Sequence, residues 1–343
     1  MPTIIDGSAS ATFATPLPLG EGWTGSAVGA LSGPNGSAFA LRNRIINGDM
    51  RIDQRNGGAA VVLGSSPIYI TDRFKSANIT GTGVITGSQS TIGGLKSFRL
   101  VATTAVTNLT EGNNIQGLQT VFEAQNVFDL NGKTITISFL VDTNWIGNLA
   151  IGIVNTSVTR SYVVDRPVVA GTNSISVSIP LESNTVNTND NGGGLYLQIG
   201  QNNEGTLRTA TTNAWVTGNF QCSTASTQWA KTTGNFINVT GVQLEEGSVA
   251  TPFERRPIGL ELALCQRYFE IGSQRHRVDP FPANSLGANA FFAVSKRSTP
   301  TITTVSYGTL TLVTADGLNS IFFNYVAGAS GNVGCTWTAS AEL

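Results

Sequence analysis

Val242-Gln-Leu-Glu-Glu-Gly-Ser-Val-Ala-Thr-Pro-Phe-Glu-Arg-Arg-Pro257, and two residues on Leu260-Glu-Leu-Ala-Leu-Cys-Gln-Arg-Tyr-Phe-Glu270, mark the place where this chain changes character. The first part reads as a strand that breaks at a Gly/Pro elbow, and the second as a short helix. Pro257 suits a first helical turn, and Gly272 falls where a glycine just past a helix would stand. At about 100° per residue, Leu260, Leu264, Tyr268 and Ile271 cluster within about 80°. Leu262, Cys265 and Phe269 widen the apolar arc to about 200°, interrupted only by Glu261. An arc that wide predicts a helix wedged between two surfaces: the two flanking domains, or neighbouring copies around a symmetry axis.

Upstream of the elbow the chain is a series of strand candidates. Thr134-Ile-Thr-Ile-Ser-Phe-Leu-Val141 alternates most clearly, with Ile135, Ile137 and Phe139 on one face and Thr134, Thr136 and Ser138 on the other. Residues 67–71, 83–86, 96–101, 150–154, 174–179, 194–199 and 235–244 have similar composition, with turn signals between them. Arg44–Asp53 reads as a broken alternation around an Asn-Gly turn. Thr120–Phe128 fits either a helical turn or a strand. Closely spaced strands without a clear ten-residue helical pattern predict an all-β fold, an antiparallel jelly-roll-like β-sandwich over 41–256. The linking helix is expected over 257–272. A small C-terminal β domain follows over 273–343, with strands near 290–294, 301–307, 309–313, 320–325 and 335–341. About 70 residues is marginal for an independent core, which favours packing against other copies.

The composition agrees. In 343 residues only 12% are charged, the net charge is −1 and there is one histidine. Gly, Ser, Thr and Asn replace the missing charges, as turns and outward strand positions require. So little charge suits a chain held in a large assembly. It offers no electrostatic case for nucleic acid or an anionic membrane. No apolar run approaches the roughly 18 residues that span a bilayer, so no membrane insertion is expected. No basic region followed by an apolar run marks a secretory signal, so synthesis in a cytoplasm without export is expected. Cys222, Cys265 and Cys335 are odd in number and far apart, and read as free core thiols.

Three motifs resemble those of bacteriophage tail-fibre and receptor-binding proteins: Asn43-Arg-Ile-Ile-Asn-Gly-Asp-Met-Arg-Ile-Asp-Gln54, Tyr69-Ile-Thr-Asp-Arg-Phe74 and the 242–270 stretch. They keep order and spacing across roughly residues 40–270. One departure is Phe74, where a Trp is expected. The resemblance implies a carbohydrate-binding-module-like sandwich and another strand and loop at 120–128. It also supports an extended N-terminal attachment arm over residues 1–40, a segment rich in Gly, Ala, Ser, Pro and Thr that contains no Lys or Arg. The implied partners are tail or baseplate proteins of the virion and bacterial surface polysaccharide. The implied location is the virion tail, assembled in the host cytoplasm. With the wide apolar arc and the small last domain, the expected assembly is a homotrimer.

Catalytic chemistry is sparse. His276, between Arg275 and Arg277, reads as a solvated surface residue with no nucleophile to serve. Glu245 and Glu246 are adjacent on a strand, so they point to opposite faces and cannot flank one glycosidic bond. Asn187-Thr-Asn-Asp-Asn-Gly-Gly-Gly194 superficially resembles a calcium loop but carries one carboxylate, Asp190. Asp49, Asp53 and Asp72 could serve a structural calcium only if the fold brought them together. No catalytic residue, metal site or cofactor is therefore expected, and the chain reads as a non-enzyme. Sugar recognition needs aromatic platforms beside fixed polar groups. Trp145, Trp215 and Trp229, all in polar surroundings, are the candidates, with Trp145 first. The expected function is glycan adhesion summed over several copies. The alternatives are a purely structural virion component without a ligand and a glycan depolymerase.

Overall fold

The computed structural model describes residues 41–79, 82–107, 109, 115–278, 285–307, 309–326 and 331–343, with one short strand pair at Thr24–Gly25 and Leu31–Ser32. Apart from that pair, the 1–40 arm lies outside the described residues.

The protein is an all-β antiparallel sandwich followed by a smaller β unit. A seven-stranded sheet runs in the order Trp215–Thr217, Arg160–Val168, Gly147–Asn155, Gly193–Ile199, Ile115–Glu123, Phe74–Asn78, Ile68–Thr71. A six-stranded sheet faces it in the order Gly171–Pro180, Thr134–Thr143, Phe236–Glu246, Leu95–Thr104, Val84–Ile92, Val61–Val62. The alternation of the 134–143 strand appears directly in the packing. Ile135, Ile137 and Phe139 are buried in the same core as Leu149, Ile151 and Ile153 of the opposing sheet. At about 25 cal/mol per Å² of apolar surface, this shared layer is the main favourable term holding the two sheets together.

The 120–128 segment divides. Residues to Glu123 belong to a strand, and two 3-10 turns, Ala124–Asn126 and Phe128–Leu130, follow. The Arg160–Val168 strand has no clean alternation: Tyr162, Val163 and Val164 are all buried, because the 218–226 segment covers its outer face. That erases the period-2 signal a half-exposed strand would show.

The expected turn around Asn47-Gly48 is present, but it joins no pair of strands. Residues 41–53 run as irregular chain, with Asn47 and Met50 at φ 61° and 55°. Buried amides replace ladder bonds. Asn43 Nδ2 donates to the Val242 carbonyl (3.1 Å) and its Oδ1 accepts from Leu244 N and Ile45 N. Asn47 Nδ2 donates to the Ile52 and Asp72 carbonyls, and its Oδ1 accepts from Ile52 N. All three motifs thus meet in one place.

The linking helix is shorter than expected, and only part of its apolar arc is buried. It spans Ile258–Gln266, and a strand, Phe269–Val278, begins three residues later. Glu261 and Cys265 are its buried residues, while Ile258 and Leu260 are 53% and 41% exposed. Glu261 is drawn inward because Arg256 and the Asn47 N–H meet its carboxylate. Gly272 is no helix terminator. The Trp337 indole covers it so closely that a Cβ would stand 2.1 Å from the ring.

The Phe269–Val278 strand runs directly into the last unit. That unit holds two antiparallel three-stranded sheets: Phe269–Val278, Gly331–Ser340 and Thr301–Tyr307 form one. Ser285–Phe291, Ser320–Val326 and Thr309–Asp316 form the other. Its small core contains Phe292, Ile321, Phe323, Tyr325, Cys335, Trp337 and Ala339. Glu342 ties the unit to the sandwich by pairing with Arg55 (2.9 Å) and Arg73, and Arg55 stacks on Phe269 with its guanidinium carbon 3.6 Å from the ring centroid. His276 lies on a strand, half-buried against Tyr325 (ring centroids 5.9 Å apart), rather than in a solvated loop.

Candidate functional site

The three tryptophans separate by depth. Trp145 is 7% exposed, packs in the main core, and donates its indole N–H to the Phe236 carbonyl at 2.9 Å. Trp229 is 1% exposed and donates to the Gly200 carbonyl at 2.9 Å. Neither can stack on a sugar, so both expectations are corrected. Their polar neighbours cap loops: Asn144, for example, bonds the Gly234 carbonyl and the Phe236 N–H. Trp215 is half-buried on the edge strand of the seven-stranded sheet. Its indole N–H donates to the Pro180 carbonyl at 2.6 Å, and its ring meets Tyr162 edge-on at 5.6 Å. Only this tryptophan of the three has ring surface near solvent.

A cleft of about 650 Å³ is lined by Asn155, Thr159, Arg160, Glu182, Ser183, Asn184 and Asn187; Trp215 stands outside this lining, two residues from the Thr217 that Arg160 reaches. One wall is the turn between the Gly147–Asn155 and Arg160–Val168 strands. Asn155 Oδ1 closes it by accepting from Thr159 N (2.9 Å) and Arg160 N (3.1 Å). The other wall is the chain after Pro180, anchored by buried Leu181, Thr185 and Val186; Val186 N donates to Asn131 Oδ1 at 3.0 Å. Across the gap Arg160 Nε donates to Glu182 Oε2 at 2.9 Å and Nη2 meets Oε1, while Nη1 donates to Thr217 Oγ1 at 2.8 Å. Hydrogen bonding to Glu182 raises the Arg160 pKa further above its ordinary value, so the guanidinium stays charged. Ser183, Asn184, Asn187 and Thr159 face solvent. Amides and hydroxyls both donate and accept, the complement a sugar hydroxyl requires.

Other groups singled out from the sequence do not converge. Glu245 is buried and braces the elbow through Thr251 N (2.8 Å) and Thr251 Oγ1 (2.6 Å), while Glu246 pairs with Lys133 at 2.9 Å. Asp190 caps its own turn through Gly192 N. Asp49 pairs with Arg51, Asp53 accepts from Asn56 N and Gly58 N, and Asp72 accepts from Gln54 N. Among the described residues no three His, Cys, Asp or Glu side chains form a group able to hold a metal. Burial raises the Cys222 thiol to about 11 and pushes Cys265 well above the ordinary range, so neither is a reactive thiolate at neutral pH.

Sequence reasoning missed the cleft. Arg160 and Glu182 are 22 residues apart: Arg160 opens a strand of the seven-stranded sheet, and Glu182 lies in the irregular chain just after the Gly171–Pro180 strand of the other sheet. The one local signal was the Asn187–Gly194 run, whose first residue lines the opening and whose Asp190 caps its own turn.

Among the described residues no helix is long and apolar enough to cross a membrane. No family model matches the chain, and no curated protein matches it. Among solved structures it is similar to the enzymatically active domain of tailspike protein 4 of bacteriophage CBA120, with 11% identity and a TM-score of 0.29 over 60% of this chain and 21% of that one. It is similar to the CBM22-1–GH10 modules of Clostridium thermocellum xylanase 10B, with 11% identity and a TM-score of 0.28 over 62% of this chain and 29% of that one. It is also similar to a family 30 carbohydrate-binding module, with 10% identity and a TM-score of 0.26 over 60% and 96% of the two chains. The chain thus spans less than a third of the matched tailspike and xylanase chains.

Proposed function

We propose that the chain is a phage virion tail-fibre or tail-tip protein that adheres to bacterial surface glycan. The observation that carries this reading is the open cleft of amides and hydroxyls around the Arg160–Glu182 pair, with the half-buried Trp215 on the adjacent strand. It is fixed by the fold on both walls, and pre-set polar groups lower the ordering cost of binding. The likeness of the three sequence motifs to phage receptor-binding proteins supports the virion assignment and a tail- or baseplate-docking role for residues 1–40. Binding without turnover is part of the same proposal. Glycoside hydrolysis needs two carboxyl groups across the bond, whereas these lining residues include one, Glu182, held by Arg160.

A homotrimer is part of the same proposal. Ile258 and Leu260 leave apolar surface on the helix, and Leu264, Leu41 and Ile46 line an adjoining groove of about 220 Å³. Three copies would bring three clefts to one surface and multiply a weak contact.

The test is retention on intact host cells and on cells stripped of surface polysaccharide. Wild-type protein is expected on the first and absent from the second, and Trp215→Ala with Asn184→Ala should abolish retention while leaving the fold intact. Equal retention on stripped cells would move the weight to a structural virion component without a glycan ligand.

A further inference from the structure

We infer that the Arg160–Glu182 cleft selects an electrically neutral sugar unit, and that Glu182 enforces the choice by occupying the arginine. This rests on the glycan-binding reading above and names the ligand class of the same cleft.

Among the lining residues Arg160 is the one cation and Glu182 the one anion. An arginine free to face a sugar cleft presents a planar fork that fits a carboxylate bidentately, and so favours uronic or sialic acids. Here that fork is already filled. Nε and Nη2 are directed to Glu182, and Nη1 to Thr217. An acidic sugar entering the cleft would meet the Glu182 carboxylate as a like charge and would have to displace it from Arg160. Repulsion of that kind discriminates as effectively as an added attraction. What remains for a ligand is uncharged: the hydroxyls of Thr159 and Ser183 and the amides of Asn184 and Asn187, all exposed. Each pairs with a hydroxyl as donor or acceptor, and none offers a counter-charge. The lining itself holds no aromatic ring, so these hydroxyls and amides carry the contact.

The experiment passes wild-type protein, Glu182→Gln and Asn184→Ala over immobilised neutral galactan, mannan and glucan, and over acidic polygalacturonate and polysialate, at low and high salt. Circular dichroism confirms that all three are folded. Wild type is expected on a neutral polymer and at least about tenfold more weakly on the acidic ones, a difference of about 1.4 kcal/mol. Glu182→Gln leaves the Arg160 charge unopposed, so it should gain about tenfold on the acidic polymers, in a salt-sensitive manner. Asn184→Ala should weaken neutral binding several-fold without gaining acidic binding. A wild type that prefers the acidic polymers, or a Glu182→Gln preference identical to wild type, overturns this inference and leaves glycan binding standing. Retention of none of the three proteins on any polymer overturns the glycan-binding reading and the inference together.

Discussion

Arg256 Nη1 lies 3.2 Å from Glu261 Oε1, and both side chains are almost wholly withdrawn from solvent. Arg256 also donates to the Asn43 and Ile45 carbonyls, and Glu261 accepts the Asn47 N–H. This buried pair fastens the irregular 41–53 segment to the elbow and the helix. It explains why those stretches are chemically specific although neither is a regular strand.

Removing one member should be costly. Glu261→Ala leaves the buried Arg256 charge with only the more distant Glu254 carboxylate at 3.9 Å, and removing the near partner of a buried pair typically destabilises by about 3–5 kcal/mol. Urea unfolding should show the loss as a lower midpoint. The double change Arg256→Met with Glu261→Leu should recover a substantial part, because no uncompensated charge remains. A single mutant as stable as wild type would refute the clasp.

A pH effect follows from Asp72. Burial raises its pKa to about 6, although Arg55 and the Gln54 hydrogen bonds pull the other way. A carboxyl raised in the folded state binds its proton more tightly there than when unfolded. Its stabilising contribution is therefore full below about pH 4 and is lost as pH rises through about 6. Comparing urea stability at pH 4.5 and 7 in wild type and Asp72→Asn isolates the effect. The variant should show a smaller loss from 4.5 to 7, by roughly 1–2 kcal/mol. An unchanged slope would rule out Asp72 as the titrating group.

The tryptophans should divide by readout. Trp145→Ala removes core volume and leaves the Phe236 carbonyl without its donor, so a loss of about 3–5 kcal/mol in stability is expected. Trp215→Ala should cost less stability and more affinity, about 1–3 kcal/mol in glycan binding. Calorimetry and cell retention, measured on both variants, separate the two roles; a Trp145→Ala protein with unaltered melting temperature would contradict its core position.

Gly48 is a steric requirement. Its φ is not positive, so alanine brings no backbone strain, yet a Cβ there would stand 2.2 Å from the Val242 carbonyl oxygen. Gly48→Ala should therefore push apart the 41–53 segment and the Phe236–Glu246 strand, at about 1–3 kcal/mol. Gly93→Ala, whose Cβ meets nothing but whose φ is 55°, supplies the contrast: strain without a clash. Equal stability of Gly48→Ala and wild type would refute the steric requirement.

For the assembly, light scattering should give about three chains per particle. Leu260→Asp changes a residue already 41% exposed in the single chain, so the monomer should keep its fold while the particle mass falls. Leu264→Asp, in the adjoining groove, should act in the same direction. A wild-type monomer at micromolar concentration would exclude the trimer.

Much of the β framework was legible. The 134–143 strand declares its faces because one side is core and the other carries Thr and Ser, and most strands upstream of residue 200 follow the same rule or a turn signal. The Arg160–Val168 strand escaped because both of its faces are covered. The helix was located, but its buried side was read only in part: Cys265 is buried as its apolarity suggests, whereas Glu261 is buried through Arg256 and Leu260 is exposed.

What the sequence determined by itself was local: strand periods, the elbow, the helix start and the absence of a converging acid pair at Glu245-Glu246. Those properties depend on residues within a few positions of one another. The tertiary structure alone decided which tryptophan reaches the surface, that Glu261 is buried, and that Arg160 and Glu182 close one cleft. Each of these depends on where the fold sets distant chain: Asn47 of the 41–53 segment reaches Glu261, and the chain after Pro180 brings Glu182 to Arg160. The free energy of such a contact belongs to the pair, and no reading of either residue's own neighbourhood contains it.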